Sequence, residues 1–143
     1  MTKEQFYSVN NILNHNVINV KYSSDKTTAV LRYGLVDHIN SGYENQIAII
    51  RRWEEDFKGK NGQQMFENIV HLGWVEELTK GKYNSIYYWS QRWYLVKYDN
   101  MGEKVCQAEE PFALGFAITS EENYKSTSYP YVKTIWFDIE VGM

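Results

Sequence analysis

The chain has 143 residues, of which 43% are hydrophobic and 23% are charged, and this length is typical of one compact domain. Fifteen Lys and Arg residues against 18 Asp and Glu residues give a net charge of −3, which argues against a general polyanion-binding protein. The single cysteine excludes an internal disulfide, and no apolar run approaches the ~18 residues of a membrane-spanning helix. The first residues lack the basic start and apolar stretch of a signal peptide. We therefore expect one domain over residues 1–143, located in the cytoplasm and not associated with a membrane.

Helical periodicity dominates the first half of the sequence. Ile49, Trp53 and Phe57 are spaced by four residues, which predicts the buried face of a surface helix. Before them, a β-branched stretch and an alternating stretch flank a polar turn, which predicts a hairpin. The elements predicted for this half are a helix over residues 2–14, hairpin strands over 17–22 and 27–36, and helices over 43–57 and 63–79.

The second half is predicted to form strands. Residues 85–99 alternate as either one long bent strand or two short ones, and the turn that follows would place Leu95 opposite Cys106. That register places Trp93, Leu95 and Cys106 on the buried face of the sheet, with Cys106 as an inert thiol. The other predicted elements are strands over 112–119 and 131–141, separated by a polar loop over 120–128. The fold class predicted is α+β, a single domain with helices mainly in the N-terminal half, packed on a mostly antiparallel sheet formed largely by the C-terminal half.

Motifs for catalysis or metal binding are not found in the sequence. His15, His38 and His71 are far apart, and none has a Cys or His neighbour at metal-ligand spacing. There is no phosphate-binding loop, no dinucleotide fingerprint and no nucleophile elbow. The adjacent glutamate pairs diverge on a helix or strand and do not converge on one atom. We therefore expect no catalytic residue, no metal site and no cofactor.

The aromatic segment carries the most informative pattern. If this segment is a continuous strand, alternate residues share one face, and one such face carries Tyr88, Arg92, Tyr94 and Tyr98. These are large amphipathic rings interleaved with a guanidinium group. Tyr and Arg are enriched at interface hot spots, so these four residues are the predicted partner-binding site. The alternative is that the stripe is a sheet face covered by the helices.

A second interpretation is a winged-helix-like regulator that binds nucleic acid. Two helices, a short glycine-containing turn and an aromatic hairpin resemble a helix-turn-helix with a wing at a coarse level. The basic residues that would then contact nucleic acid are Arg51, Arg52, Lys80 and Lys82. A small enzyme whose site is assembled from residues distant in sequence is the third interpretation.

Together these observations favour a non-catalytic protein that docks on a partner protein. The biological form we expect is an inhibitor, carried by a phage or mobile element, that blocks a host protein such as a nucleic-acid-handling or defence protein. The mildly acidic, aromatic-rich composition is the basis for this expectation.

The charge balance leads to a prediction about DNA. The two predicted helices carry Glu54, Glu55, Glu67, Glu76 and Glu77, and these carboxylates repel phosphates. We expect no appreciable binding of generic duplex DNA at physiological salt, measured by mobility shift. Micromolar binding that weakens steeply as salt is raised would favour the nucleic-acid interpretation.

Overall fold

The computed structural model describes residues 16–19, 24–119 and 128–138. The elements in chain order are strand β1 (Asn16–Asn19), helix α1 (Ser24–Asn40), strand β2 (Gln46–Arg51), a 3₁₀ turn (Glu54–Phe57), helices α2 (Lys60–Gln64), α3 (Glu67–His71) and α4 (Trp74–Leu78), and strands β3 (Ser85–Trp89), β4 (Arg92–Tyr98), β5 (Lys104–Gln107), β6 (Ala113–Ala117) and β7 (Val132–Phe137).

The strands form one sheet in the order β1-β7-β2-β6-β4-β3, with β5 also pairing with β4. The antiparallel pairing predicted for the C-terminal half is found where β4 pairs with β3, β5 and β6. The strands β1, β7, β2 and β6 pair in parallel. The α+β class is confirmed, with the helices concentrated in the N-terminal half and most strands in the C-terminal half.

The main core lies between the helices and one face of the sheet, which is called the helix face below. Trp93 and Leu95 from β4, and Ile47 and Ile49 from β2, are fully buried there. The opposite face carries a second buried cluster, which consists of Ala48, Ile50, Leu114, Val132, Ile135 and Phe137. Strand β2 is therefore buried on both faces, as is typical of a central strand in a parallel sheet.

Two predicted elements in the first half are wrong. Residues 27–36 lie in α1 and not in a strand, because Leu31, Leu35 and His38 follow helical spacing and all three are buried. Residues 43–57 are not a helix, because Gln46–Arg51 is a strand. A strand buried on both faces has a continuous apolar run, and such a run cannot be distinguished from a helix face by periodicity alone.

The remaining predictions agree more closely with the structure. The helix predicted over 63–79 overlaps three short helices, and Gly73 separates the last two with a left-handed φ of 77°. Residues 85–99 form two strands, one of the two alternatives. The strands predicted over 112–119 and 131–141 contain β6 and β7, and that over 17–22 overlaps β1. The helix predicted over 2–14 and most of the loop over 120–128 lie outside the described residues.

The predicted burial of Cys106 is wrong. Cys106 pairs with Lys97, two residues further along β4 than the predicted partner, Leu95. All four residues of β5 are exposed, and β5 pairs with the end of β4 that lies beyond the pairing with β6. The thiol of Cys106 is therefore accessible to solvent.

The exposed position of Cys106 leads to a direct test. We expect a thiol reagent such as dithionitrobenzoate to label Cys106 in the native protein at a rate within about tenfold of the rate in denaturant, since no unfolding step is required. A Cys106→Ser variant is the blank. Labelling that occurs only on unfolding would contradict the pairing of β5.

His38 is a buried polar residue at the end of α1. Its Nδ1 lies 2.7 Å from the carbonyl oxygen of Asn45, and the ring packs against Tyr43 and Phe112 at centroid distances of 5.6 and 6.0 Å. Its Nε2 has no hydrogen-bond partner among the described residues. Burial lowers the pKa of His38, and this outweighs the opposing effects of the Asn45 carbonyl and Asp37. The ring is therefore held in its neutral form.

This lowered pKa predicts a loss of stability in mild acid. As pH falls below the unfolded-state pKa of 6.5, the unfolded chain binds a proton that the folded protein rejects. Because of His38, the free energy of unfolding should fall by at most about 1.4 kcal/mol per unit of pH below that value. The measurement compares urea unfolding of the wild type and of His38→Gln at pH 7.5 and 5.5. Equal pH dependence in the two proteins would contradict the prediction.

Candidate functional site

The turn between β3 and β4 decides which side chains of this hairpin are exposed. Ser90 and Gln91 both have left-handed backbone angles, with φ of 50° and 63°, as a type I′ turn requires. This two-residue turn pairs Tyr88 with Trp93, Tyr87 with Tyr94 and Trp89 with Arg92. Side chains of directly paired residues lie on the same face of a sheet. Tyr88 therefore shares the helix face with Trp93, whereas Arg92 and Tyr94 lie on the other face.

Tyr88 was predicted to share one surface with Arg92, Tyr94 and Tyr98, and this prediction is wrong for Tyr88. Its hydroxyl donates a hydrogen bond to the carbonyl of Phe57 and accepts one of 3.1 Å from the N–H of Gln91. Its ring lies 4.9 Å from the ring of Trp93. Burial raises the pKa of Tyr88, with a smaller opposing effect from the N–H of Gln91. Tyr88 therefore joins the hairpin to the core.

The exposed side of the hairpin is formed by Tyr87, Trp89, Arg92 and Tyr94, here called the hairpin face. The indole of Trp89 is 62% exposed, and the other three side chains are half-buried. Cross-strand pairing places Trp89 beside Arg92 and Tyr87 beside Tyr94. The ammonium nitrogen of Lys104 lies 4.4 Å from the ring centroid of Tyr87, which adds a cation at the rim.

The hairpin face lies next to the second buried cluster on the same side of the sheet. Arg92 pairs with Leu114 of β6, and Leu114 pairs with Ala48 of β2. Leu114 is 5% exposed and Ala48 is fully buried. On this side of the sheet the side chains of Leu114 and Ala48 are thus buried, whereas those at the tip of the hairpin are exposed or half-buried.

Tyr98, the fourth predicted residue, lies at the far end of β4. Its backbone is fixed by the side chain of Asn84, which accepts a hydrogen bond of 3.0 Å from its N–H and donates one of 2.8 Å to its carbonyl. Tyr98 lines a groove of about 750 Å³ beside β3, which is separate from the pairs at the hairpin tip. Of the predicted site, the structure places Arg92 and Tyr94 on the hairpin face.

The predicted nucleic-acid contacts do not form one patch. Arg51 lies at the end of β2, where its Nε bonds the carboxylate of Asp138 at 2.7 Å. Arg52 follows it, while Lys80 and Lys82 lie between α4 and β3. The Nζ of Lys82 lies 4.5 Å from the ring centroid of Tyr43, which precedes β2. The two pairs are therefore at opposite ends of β2, about 16 Å apart along the strand. The predicted helix-turn-helix layout is also wrong, because its first helix is β2.

Arg51 and Asp138 form an ion pair at 2.7 Å, with side chains that are 21% and 5% exposed. The pKa of Asp138 is raised, because burial, with a smaller contribution from the charge of Asp56, outweighs the opposing effect of the Arg51 guanidinium. Arg51 also donates to the carbonyl of Asp56 at 3.4 Å. These contacts connect the ends of β2 and β7 to the 3₁₀ turn.

Across residues 16–19, 24–119 and 128–138, no group of three or more His, Cys, Asp or Glu side chains is arranged to hold a metal ion. Over the same residues no helix has the length and apolar character needed to cross a bilayer. Comparison with protein-family models, with curated proteins and with solved structures gave no match.

Two members of the hairpin face, Tyr87 and Trp89, were not predicted. In a continuous strand they share a face with Trp93, and only a two-residue turn moves them to the side of Arg92. The usual sequence signal for such a turn is Asn-Gly, whereas this chain has Ser90-Gln91. A test of both registers at every possible turn position would have found them.

Alanine substitutions at the neighbouring residues Tyr88 and Trp89 should differ in their effect on the free energy of unfolding. Tyr88→Ala should lower the free energy of unfolding by about 3–5 kcal/mol, because it removes a ring packed in the core. Trp89→Ala should change it by less than about 1 kcal/mol, because the indole is exposed. Tyr88→Phe is the matched control, with an expected loss of about 1–3 kcal/mol from the hydroxyl alone. Denaturant unfolding measures all three, and a larger loss for Trp89→Ala than for Tyr88→Ala would contradict the hairpin register.

Proposed function

We propose that this protein is a non-catalytic binding protein that docks on a partner protein through the hairpin face. The observation that carries the proposal is the 62% exposed indole of Trp89, directly paired with Arg92. Trp, Tyr and Arg are the residue types most enriched among interface hot spots, and the hairpin face consists only of these three types. A Trp or Tyr side chain buries 150–250 Å² at an interface, as a general figure.

Hydrogen bonds on the helix face also fix the position of the hairpin, which favours docking. Tyr88 and Trp93 alternate with the exposed residues and donate hydrogen bonds to the carbonyls of Phe57 and Gly62, the second at 2.9 Å. A surface that is already ordered loses less conformational entropy on binding than a mobile one. A smaller loss of conformational entropy therefore opposes the favourable contacts that the hairpin face makes on binding.

Local charge indicates the kind of partner surface. The whole chain is acidic, with a net charge of −3, but the cations Arg92 and Lys104 lie on or beside the hairpin face. A partner with an apolar pocket for Trp89 and carboxylates for these cations would be complementary. We propose an inhibitor of a host protein, carried by a phage or mobile element, as the biological form. An abundance of Lys, Asn, Ile and Tyr, which is common in AT-rich genomes, supports this origin.

The test is affinity capture of partners from a bacterial lysate treated with nuclease. Four baits are compared, namely the wild type, Trp89→Ala, Arg92→Ala and the control Tyr33→Ala. Tyr33 is 46% exposed on α1, which packs on the helix face, so the control removes an exposed aromatic ring from the other side of the sheet.

We expect a protein that is captured by the wild type and by Tyr33→Ala but is lost with Trp89→Ala and reduced with Arg92→Ala. Truncation of a hot-spot residue costs about 2 kcal/mol or more, or roughly thirtyfold in affinity. Thermal midpoints of the four baits confirm that each is folded. A partner captured equally by all four baits would place the binding surface elsewhere, and nucleic acid as the captured species would favour the alternative function.

A further inference from the structure

The outer edge of β3 is open for pairing. Strand β3 is last in the sheet order and pairs with β4 alone among the described strands. The carbonyls of Trp93 and Leu95 in β4 accept hydrogen bonds from Phe112 and Ala108, on the side away from β3. The alternation of an antiparallel ladder then directs the backbone groups of Ser85, Tyr87 and Trp89 towards β4, and those of the residues between them outwards. The N–H and C=O groups of Ile86 and Tyr88 therefore line the edge.

This edge lacks two of the features that usually prevent strand addition, namely charged residues and proline. Its sequence is SIYYW, which contains no charged residue and no proline. By contrast β5, the other edge strand beside β4, has four residues and carries Lys104. Exposed edges of apolar, uncharged strands normally pair with another strand. The edge of β3 is therefore the more suitable one for a partner.

The groove that Tyr98 lines runs beside this edge. It lies between β3 and the helices α2 and α3, and its lining consists of the apolar residues Phe66, Val70 and Ile86, the aromatic Tyr98, and the polar residues Gln63, Gln64, Glu67, Asn68, His71 and Ser85. Glu67 is the only acidic residue in this lining, which contains no Lys or Arg. An alternating strand at this edge would place apolar side chains against Ile86 and a long side chain near Glu67.

We propose that the edge of β3 accepts an extended segment of a partner protein as an added strand, with a Lys or Arg side chain that pairs with Glu67. Main-chain hydrogen bonds to Ile86 and Tyr88 recognise the extended backbone, and the groove selects its alternate side chains. The carboxylate of Glu67 makes the edge complementary to a cationic segment. The inference rests on the proposed function in that the partner is a protein, and it adds the form of the segment that binds.

The test uses three labelled peptides of about ten residues, a usual upper length for one strand. The first alternates valine with threonine and has lysine at two central threonine positions, and the second has glutamate at those positions. The third is the lysine peptide with alternate backbone nitrogens methylated, which removes its main-chain donors. Fluorescence anisotropy with the full chain gives the affinities, and amide hydrogen exchange followed by NMR locates the site.

We expect the lysine peptide to bind about five- to tenfold more tightly than the glutamate peptide, as an exposed charge pair allows. Methylation should abolish binding, and the amides of Ile86 and Tyr88 should gain protection in the complex. Glu67→Lys should reverse the preference between the two peptides. Glu77→Lys, the same charge change at an exposed residue of α4 outside the groove, should leave the preference unchanged.

Three results with the peptides would overturn the proposal. These are equal binding of the methylated peptide, equal effects of Glu67→Lys and Glu77→Lys, and absence of binding by all three peptides. Concentration-dependent protection of Ile86 and Tyr88 in the chain alone would assign the edge to a second copy, which also contradicts it. The Trp89→Ala variant distinguishes strand addition at the edge of β3 from docking through the hairpin face. If it abolishes capture of the partner while the peptides fail to bind, the hairpin face is supported without the edge.

Discussion

Two hydrogen bonds from aromatic side chains to backbone carbonyls fix the hairpin on which both proposals depend. The hydroxyl of Tyr88 donates to the carbonyl of Phe57, and the indole Nε1 of Trp93 donates to the carbonyl of Gly62 at 2.9 Å. A buried carbonyl that loses its partner costs about 1–3 kcal/mol, so the two bonds penalise movement of the hairpin away from the 3₁₀ turn and from α2. The rings of Phe57 and Phe66 pack edge-on against Trp93, at centroid distances of 6.0 and 5.5 Å.

Close backbone approach at two glycines makes this arrangement possible. A Cβ at Gly62 would collide with the ring of Tyr88 and with the carbonyl oxygen of Phe57. A Cβ at Gly115 would lie 2.7 Å from the ring of Phe57, well inside contact distance. Both positions lack a positive φ, so the requirement for glycine comes from packing and not from backbone conformation. The 3₁₀ turn that carries Phe57 is thereby held between β6 and the hairpin.

The sequence predicts correctly those elements whose local residue pattern matches their burial and neighbours in the fold. Asp99 accepts hydrogen bonds of 2.9 Å from the N–H groups of Met101 and Glu103, so the predicted turn between β4 and β5 is stabilised locally. Trp93 and Leu95 were correctly assigned to the core by alternation. Strand β2 could not be identified in this way, because Ile47 and Ile49 face the helices while Ala48 and Ile50 face the second cluster. Only the order of the strands in the sheet, which is a non-local property, makes both sides of β2 apolar.

The exposed side of the hairpin was missed, because it depends on a turn conformation that Ser90 and Gln91 disfavour. Ser90 and Gln91 adopt left-handed angles, which cost an L-residue roughly 1–2 kcal/mol each. The turn is held by two contacts at Gln91, whose N–H donates to the hydroxyl of Tyr88 and whose carbonyl accepts from Gly115 at 2.8 Å.

Together these hydrogen bonds stabilise the turn and offset its unfavourable backbone angles. A straight strand would direct Trp89 towards the helices together with Trp93 and would expose Tyr88. The two-residue turn instead exposes Trp89 and places Tyr88 on the helix face. It exposes the largest aromatic side chain of β3 beside Arg92 and places the tyrosine hydroxyl where the carbonyl of Phe57 requires a donor. In this hairpin the strained residues lie directly between Trp89 and Arg92, the pair that carries the proposed function.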